Sequence, residues 1–132
     1  MSSTEGTSRA MLWTGRVLSA LFVLFMLMDI SLKLLRLPVV AETMIQLGWP
    51  PASGFAIGVM EAIILALYVY PRTSVLGAVL MTAVLGGAVA THVRIGSPMF
   101  SHVLFGVYLG LFAWGGLWLR DAALRQVFPL RR

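Results

Sequence analysis

The stretch 73-TSVLGAVLMTAVLGGAVATHV-93 has no charged residue apart from any charge on His92. As a helix rising about 1.5 Å per residue, its 21 positions cover roughly 32 Å, matching a hydrocarbon layer of about 30 Å. A water-facing helix of this length needs a polar side, and this one has none. It reads as a membrane span. The whole composition agrees: of 132 residues 59% are hydrophobic and only 11% charged, whereas a soluble domain carries roughly 25% charged residues. Mean hydropathy is +0.91. The absence of cysteine excludes disulfides, thiol redox chemistry and cysteine-ligated metals. The net charge of +5 comes from basic residues placed singly at the ends of apolar runs, with only Arg131 and Arg132 adjacent. That pattern suits lipid headgroups and topology signals, and no nucleic acid is expected as a partner.

Working outward, residues 54–70 form a second span, marginal in length and broken only by Glu61. Pro71 and Arg72 make the turn into the quoted stretch, and Thr73 or Ser74 can cap it. Residues 11–35 form the first span, apolar apart from Arg16, Asp29, Lys33 and small hydroxyls. No small-residue cleavage site follows its apolar run, so it reads as retained rather than as a signal peptide. Between these spans, Pro38 opens a short helix in which Val40, Met44 and Leu47 recur beside Glu42 and Gln46. Gly48 caps it, Pro50 and Pro51 stop it, and Trp49 favours the headgroup level. The segment is too short to cross and reads as interfacial. After a loop at Gly96 and Pro98, residues 101–119 form the fourth span, ended by Arg120 and Asp121.

The expected fold is therefore all-α: a four-transmembrane-helix bundle with a short interfacial helix between helices 1 and 2. The membrane domain covers residues 11–120. A flexible cytoplasmic tail precedes it at 1–10, and a basic cytoplasmic tail follows at 121–132, lying on the membrane surface. One side of this topology collects Arg9, Arg16, Arg72, Arg120, Arg125, Arg131 and Arg132, seven basic residues against Lys33, Arg36 and Arg94 on the other. The positive-inside rule puts both termini in the cytoplasm of a bacterial cell, with the bundle multi-pass in its inner membrane. Small residues recur every fourth position, as Gly54, Gly58, Ala62 and Ala66, as Ala78, Thr82, Gly86 and Ala90, and as Gly106 and Gly110 after His102. Such ridges let helix backbones approach, within one monomer or between copies in a homo-oligomer.

Ionisable groups in lipid cost roughly 2.5–3.5 kcal/mol each at mid-helix, so each needs a reason. Asp29 and Lys33 lie one turn apart and form a local ion pair, Lys33 snorkelling towards the boundary. Glu61 has only apolar neighbours along its helix (Ile57, Ile64, Leu65) and must pair across helices or take up a proton. Asp29, Lys33, Glu61, His92, Arg94 and His102 all fall in the half of the bundle away from the termini, with Glu42 and Trp49 at the same level. The other half of the interior reads as apolar. Glu61 is expected beside one of the histidines, and Asp29 beside Lys33, in a polar cluster. Three readings stand open for it: polar glue fixing helix register, a pocket for a small polar-headed lipophile such as a quinone, or a proton conduit. No ligand spacing supports a metal or haem.

Asp29-x-x-x-Lys33, Leu47-Gly48-Trp49-Pro50, Glu61, Pro71-Arg72-Thr73, the string from Gly86 to Arg94 and Ser101-His102-Val103-Leu104-Phe105 together resemble the DoxX-like family of small four-helix bacterial membrane proteins. The resemblance spans residues 14–125. It implies association with quinol-oxidising or thiosulfate–quinone complexes, or with oxidative-stress assemblies; distant animal relatives look like membrane chaperones. The expected function is thus an accessory subunit of a membrane redox or oxidative-stress system, binding a quinone-like lipophile or a redox partner protein at the outer-face cluster. Neither an intrinsic cofactor nor a catalytic activity of its own is expected. The alternative is a scaffold or chaperone-like interaction protein whose cluster is structural.

Overall fold

The computed structural model describes residues 6–132; residues 1–5 of the expected tail lie outside the described residues. Ser8 accepts a hydrogen bond from the Met11 amide and starts α1 (Arg9–Leu34). α2 (Pro38–Gln46) has proline in its first turn, where the missing N–H is not needed. α3 (Ser53–Val69) and α4 (Ser74–Arg94) are joined by a tight turn at Pro71–Thr73. A π-helical turn, Met99–Val103, leads into α5 (Phe105–Arg120), and α6 (Ala122–Val127) closes the chain.

The turns at the end away from the termini share one device. Gly48 has φ +81° and Gly96 φ +73°, and the amides after them reach back to Met44 and His92 carbonyls at 2.8 and 3.0 Å. Each is a left-handed helix stop of the kind glycine allows without a Cβ penalty. Arg36 does the same for α1 with φ 54°, and its guanidinium lies over the Phe55 ring.

α1, α3, α4 and α5 run alternately up and down in a ring, in which α1 packs on α3 and α5, and α4 packs on the same two. Its centre is apolar: Phe22, Met26, Ile64, Leu65, Met81 and Ala113 are buried. The outside is apolar too. Leu24 is 64% exposed, Ile63 60% and Leu111 63%, which in water would be an aggregation surface and in lipid is a solvated one. Three segments, Arg9–Leu34, Pro71–Arg94 and Met99–Arg120, are long and apolar enough to cross a membrane. The remaining ring helix, α3, is as apolar but has 17 residues.

Close approach replaces the hydrophobic drive between helices. A Cβ on Gly116 would stand 2.9 Å from the Ser19 amide nitrogen and 3.0 Å from the Gly15 carbonyl, so α1 and α5 touch through their backbones. The segment after α5 folds back onto the end of that helix. Arg125 is buried, donating to the Trp118 and Leu119 carbonyls and to the Thr7 hydroxyl, while Phe128 stacks on Trp114. The guanidinium satisfies carbonyls left over at the end of α5. Gly86 shows the opposite environment, with nothing within 4 Å of where a Cβ would be. Unfolding in detergent is expected to separate the two glycines: Gly116→Ala loses about 1–3 kcal/mol to overpacking, and Gly86→Ala is neutral or slightly stabilising.

Candidate functional site

α1 brings Asp29 and Lys33 to the inside of the ring, one turn apart, and α3 brings Glu61. The helices meet here because Gly58 has no side chain. A Cβ on it would stand 2.7 Å from the Lys33 Cβ. Gly58 sits one turn before Glu61, so the contact it permits sets Lys33 beside the glutamate. Lys33 Nζ donates to Asp29 Oδ2 at 2.7 Å and to Glu61 Oε1. Glu61 is 3% exposed. A buried carboxylate in hydrocarbon is tolerated only with such a partner.

These three residues end a cavity of about 780 Å³ that also reaches His92, His102 and Trp49. The rest of its wall is mainly apolar, with Met26, Leu85 and Leu109 among its buried residues. The exposed part of the wall includes Ala56 and Met60 on α3 and Ala83, Gly87 and Ala88 on α4. The cavity therefore opens sideways, between α3 and α4, as well as at its rim by Thr43 and His102. The two imidazoles meet edge to face with ring centres 5.7 Å apart. His92 Nδ1 shares a hydrogen bond with the Ser97 hydroxyl at 2.9 Å, and His102 Nδ1 one with Ser101 at 2.7 Å. Both Nε2 atoms and Asp29 Oδ1 have no protein partner among the described residues.

A model of the DoxX-like family matches residues 17–116. The chain belongs to the DoxX-like family. Comparison with curated proteins and with solved structures finds no match. The family's segment, from α1 to near the end of α5, contains every residue of the cleft.

Five of the six expected polar residues of this DoxX-like chain thus line one cavity: Asp29, Lys33, Glu61, His92 and His102. Arg94 does not. Its guanidinium donates to the Leu47 carbonyl and lies over Gly48, holding α2 at its C-terminal end. The expected pairing of Glu61 with a histidine is corrected as well. Lys33 takes that place, turned inward across α3 rather than snorkelling out, because the α1–α3 contact at Gly58 is so close. No group of three or more His, Asp or Glu among the described residues is placed to hold a metal ion.

The interior near the termini, expected to be apolar, holds a second polar network. Tyr68 donates to the Ala113 carbonyl at 2.7 Å. Its single proton being used there, the 2.9 Å contact with Ser19 must be donated by the serine. Arg120 Nη2 in turn donates to Ser19 Oγ at 3.0 Å, and Nε to the Gly116 carbonyl at 3.0 Å. The sequence signal is the repeated spacing of four, Gly15 with Ser19 and Gly116 with Arg120, which puts a small residue beside each polar one.

The triad makes unequal demands on its members. Lys33→Met leaves the buried Glu61 without its cation and is expected to cost about 3–5 kcal/mol in detergent unfolding, the range for breaking a buried pair from one side. Glu61→Gln leaves the neutral Asp29–Lys33 pair and costs clearly less. The reverse order would show that Lys33 is not what solvates Glu61.

Proposed function

We propose that this DoxX-like protein crosses the bacterial inner membrane four times, with both termini in the cytoplasm, and binds a quinone-like lipophile in its side-opening cleft. The carrying observation is the cleft itself: an apolar slot reachable from the acyl layer, with a charged triad in its wall whose Glu61 is buried. A polar-headed, apolar-tailed molecule fits that polarity along its length. Quinol hydroxyls find acceptors in the free Asp29 oxygen, and quinone carbonyls find a donor in whichever Nε2 carries a proton. The four-span topology is supported by the alternating ring, although α3 with 17 residues reaches only about 26 Å at 1.5 Å per residue. The bilayer accommodates that small mismatch by local thinning. The seven-to-three division of basic residues supports the orientation. In this reading the protein is an accessory subunit of a membrane redox or oxidative-stress system, and a partner protein supplies the electron carrier.

One observation favours the scaffold reading. Lys33 ties α1 to α3 through two carboxylates and so fixes their register whether or not a ligand enters.

The two separate on variants that fold. Gly87 lines the slot with nothing within 4 Å of an added Cβ, so Gly87→Phe is expected to fill the mouth. Gentle purification followed by lipid extraction is expected to recover quinone with the wild type. With Gly87→Phe and with Glu61→Gln, at equal protein yield, recovery drops at least about tenfold, the equivalent of losing one good polar contact or the cavity's access. Quinone recovery that simply follows protein abundance across the variants rejects the ligand site and leaves the scaffold.

A further inference from the structure

At the end of the bundle that holds both termini lies a smaller cavity of about 370 Å³, lined by Arg16, Ser19 and Tyr68, by Ser74, and by Arg120 and Asp121. We propose that it is an anion site for a phosphate group, with Arg120 and Arg16 as its ligands. This does not depend on the quinone reading, because the two cavities lie at opposite ends of the ring.

The case rests on how Arg120 is held. A Cβ on Gly15 would stand 2.5 Å from Arg120 Cγ, so the missing side chain is what admits the arginine stem against α1. Its head is then fixed at two points, Nε on the Gly116 carbonyl and Nη2 on Ser19. Ser19 is itself buried and locked by Tyr68, whose proton goes to Ala113. The chain of donors runs one way, from guanidinium to serine to tyrosine to carbonyl. Nothing in it neutralises the charge, and Nη1 has no protein partner among the described residues. No carboxylate among the described residues forms a salt bridge with Arg120 or Arg16. Asp121 lines the cavity, yet its Oδ1 is committed to the Ala123 and Leu124 amides. Two guanidiniums against one carboxylate leave a positive surplus in a pocket at the end of the ring that holds both termini. A guanidinium fixed in one orientation, with a free edge, matches the oxygens of a phosphate. The phosphate belongs either to a phospholipid headgroup or to free inorganic phosphate.

Native mass spectrometry of the full chain in mild detergent, titrated with phosphatidylglycerol or phosphatidylcholine, tests the site. The wild type is expected to prefer the anionic lipid. Arg16→Gln, exposed and outside the hydrogen-bonded chain, lowers that preference about fivefold, the usual worth of one basic residue near a lipid surface. Arg120→Gln, with helix content checked by circular dichroism, abolishes it. Unfolding with and without millimolar inorganic phosphate separates the sources. Stabilisation by phosphate that is lost in both variants, without lipid preference, points to the free anion; lipid preference unaffected by phosphate points to the headgroup. No lipid preference and no phosphate stabilisation, or effects that persist unchanged in both variants, overturn the proposal. Arg16→Gln keeps the test decisive even if Arg120→Gln does not fold.

Discussion

The ammonium group of Lys33, held between Asp29 and Glu61, is the contact around which the ring is arranged. Glu61 is almost wholly buried, in a helix whose other side chains are made for hydrocarbon. A carboxylate there finds no partner on its own helix. It must be met from α1, and α1 can come close enough only because Gly58 yields the space. The pairing thus constrains three things together: the depth of the α1–α3 contact, their register, and the direction in which α3 must face.

The second consequence is where space remains. With α1 drawn against α3 and α5, and α5 against α4, the gap falls between the upper parts of α3 and α4, where small residues leave the wall thin. Nearer the termini the same two helices close up. A Cβ on Gly77 would stand 2.9 Å from the carbonyl carbon of Leu67. Phe22, Met26 and Met81, the most deeply buried large side chains, separate the Lys33 triad from the Ser19–Tyr68–Arg120 chain. The ring therefore has polar chemistry at both ends and apolar side chains between them.

Much of the fold was legible in the sequence because long uncharged runs have one physical explanation, and glycines at 48 and 96 mark the stops that only their backbone freedom makes easy. The pairing of Glu61 was not. Asp29 and Lys33, one turn apart, look self-sufficient on paper. That the lysine also reaches α3 depends on a contact distance set by Gly58, which no spacing rule supplies. Tyr68 escaped notice for a related reason. A tyrosine near the end of a span suggests the headgroup level, and only packing reveals that its ring lies edge-on to Phe22 with its hydroxyl bonded between α1 and α5. Arg125 resembles a surface charge until the open carbonyls at the end of α5 are seen to claim it.

The mouth between α3 and α4 faces the acyl chains rather than water. A ligand of the kind proposed would be drawn from a two-dimensional reservoir in which an oily molecule is already enriched by partitioning, so its occupancy would follow the mole fraction in the bilayer and not the aqueous concentration. For such a ligand even modest intrinsic attraction would suffice to fill the slot, and diluting the membrane with extra lipid would empty it as effectively as weakening the contacts.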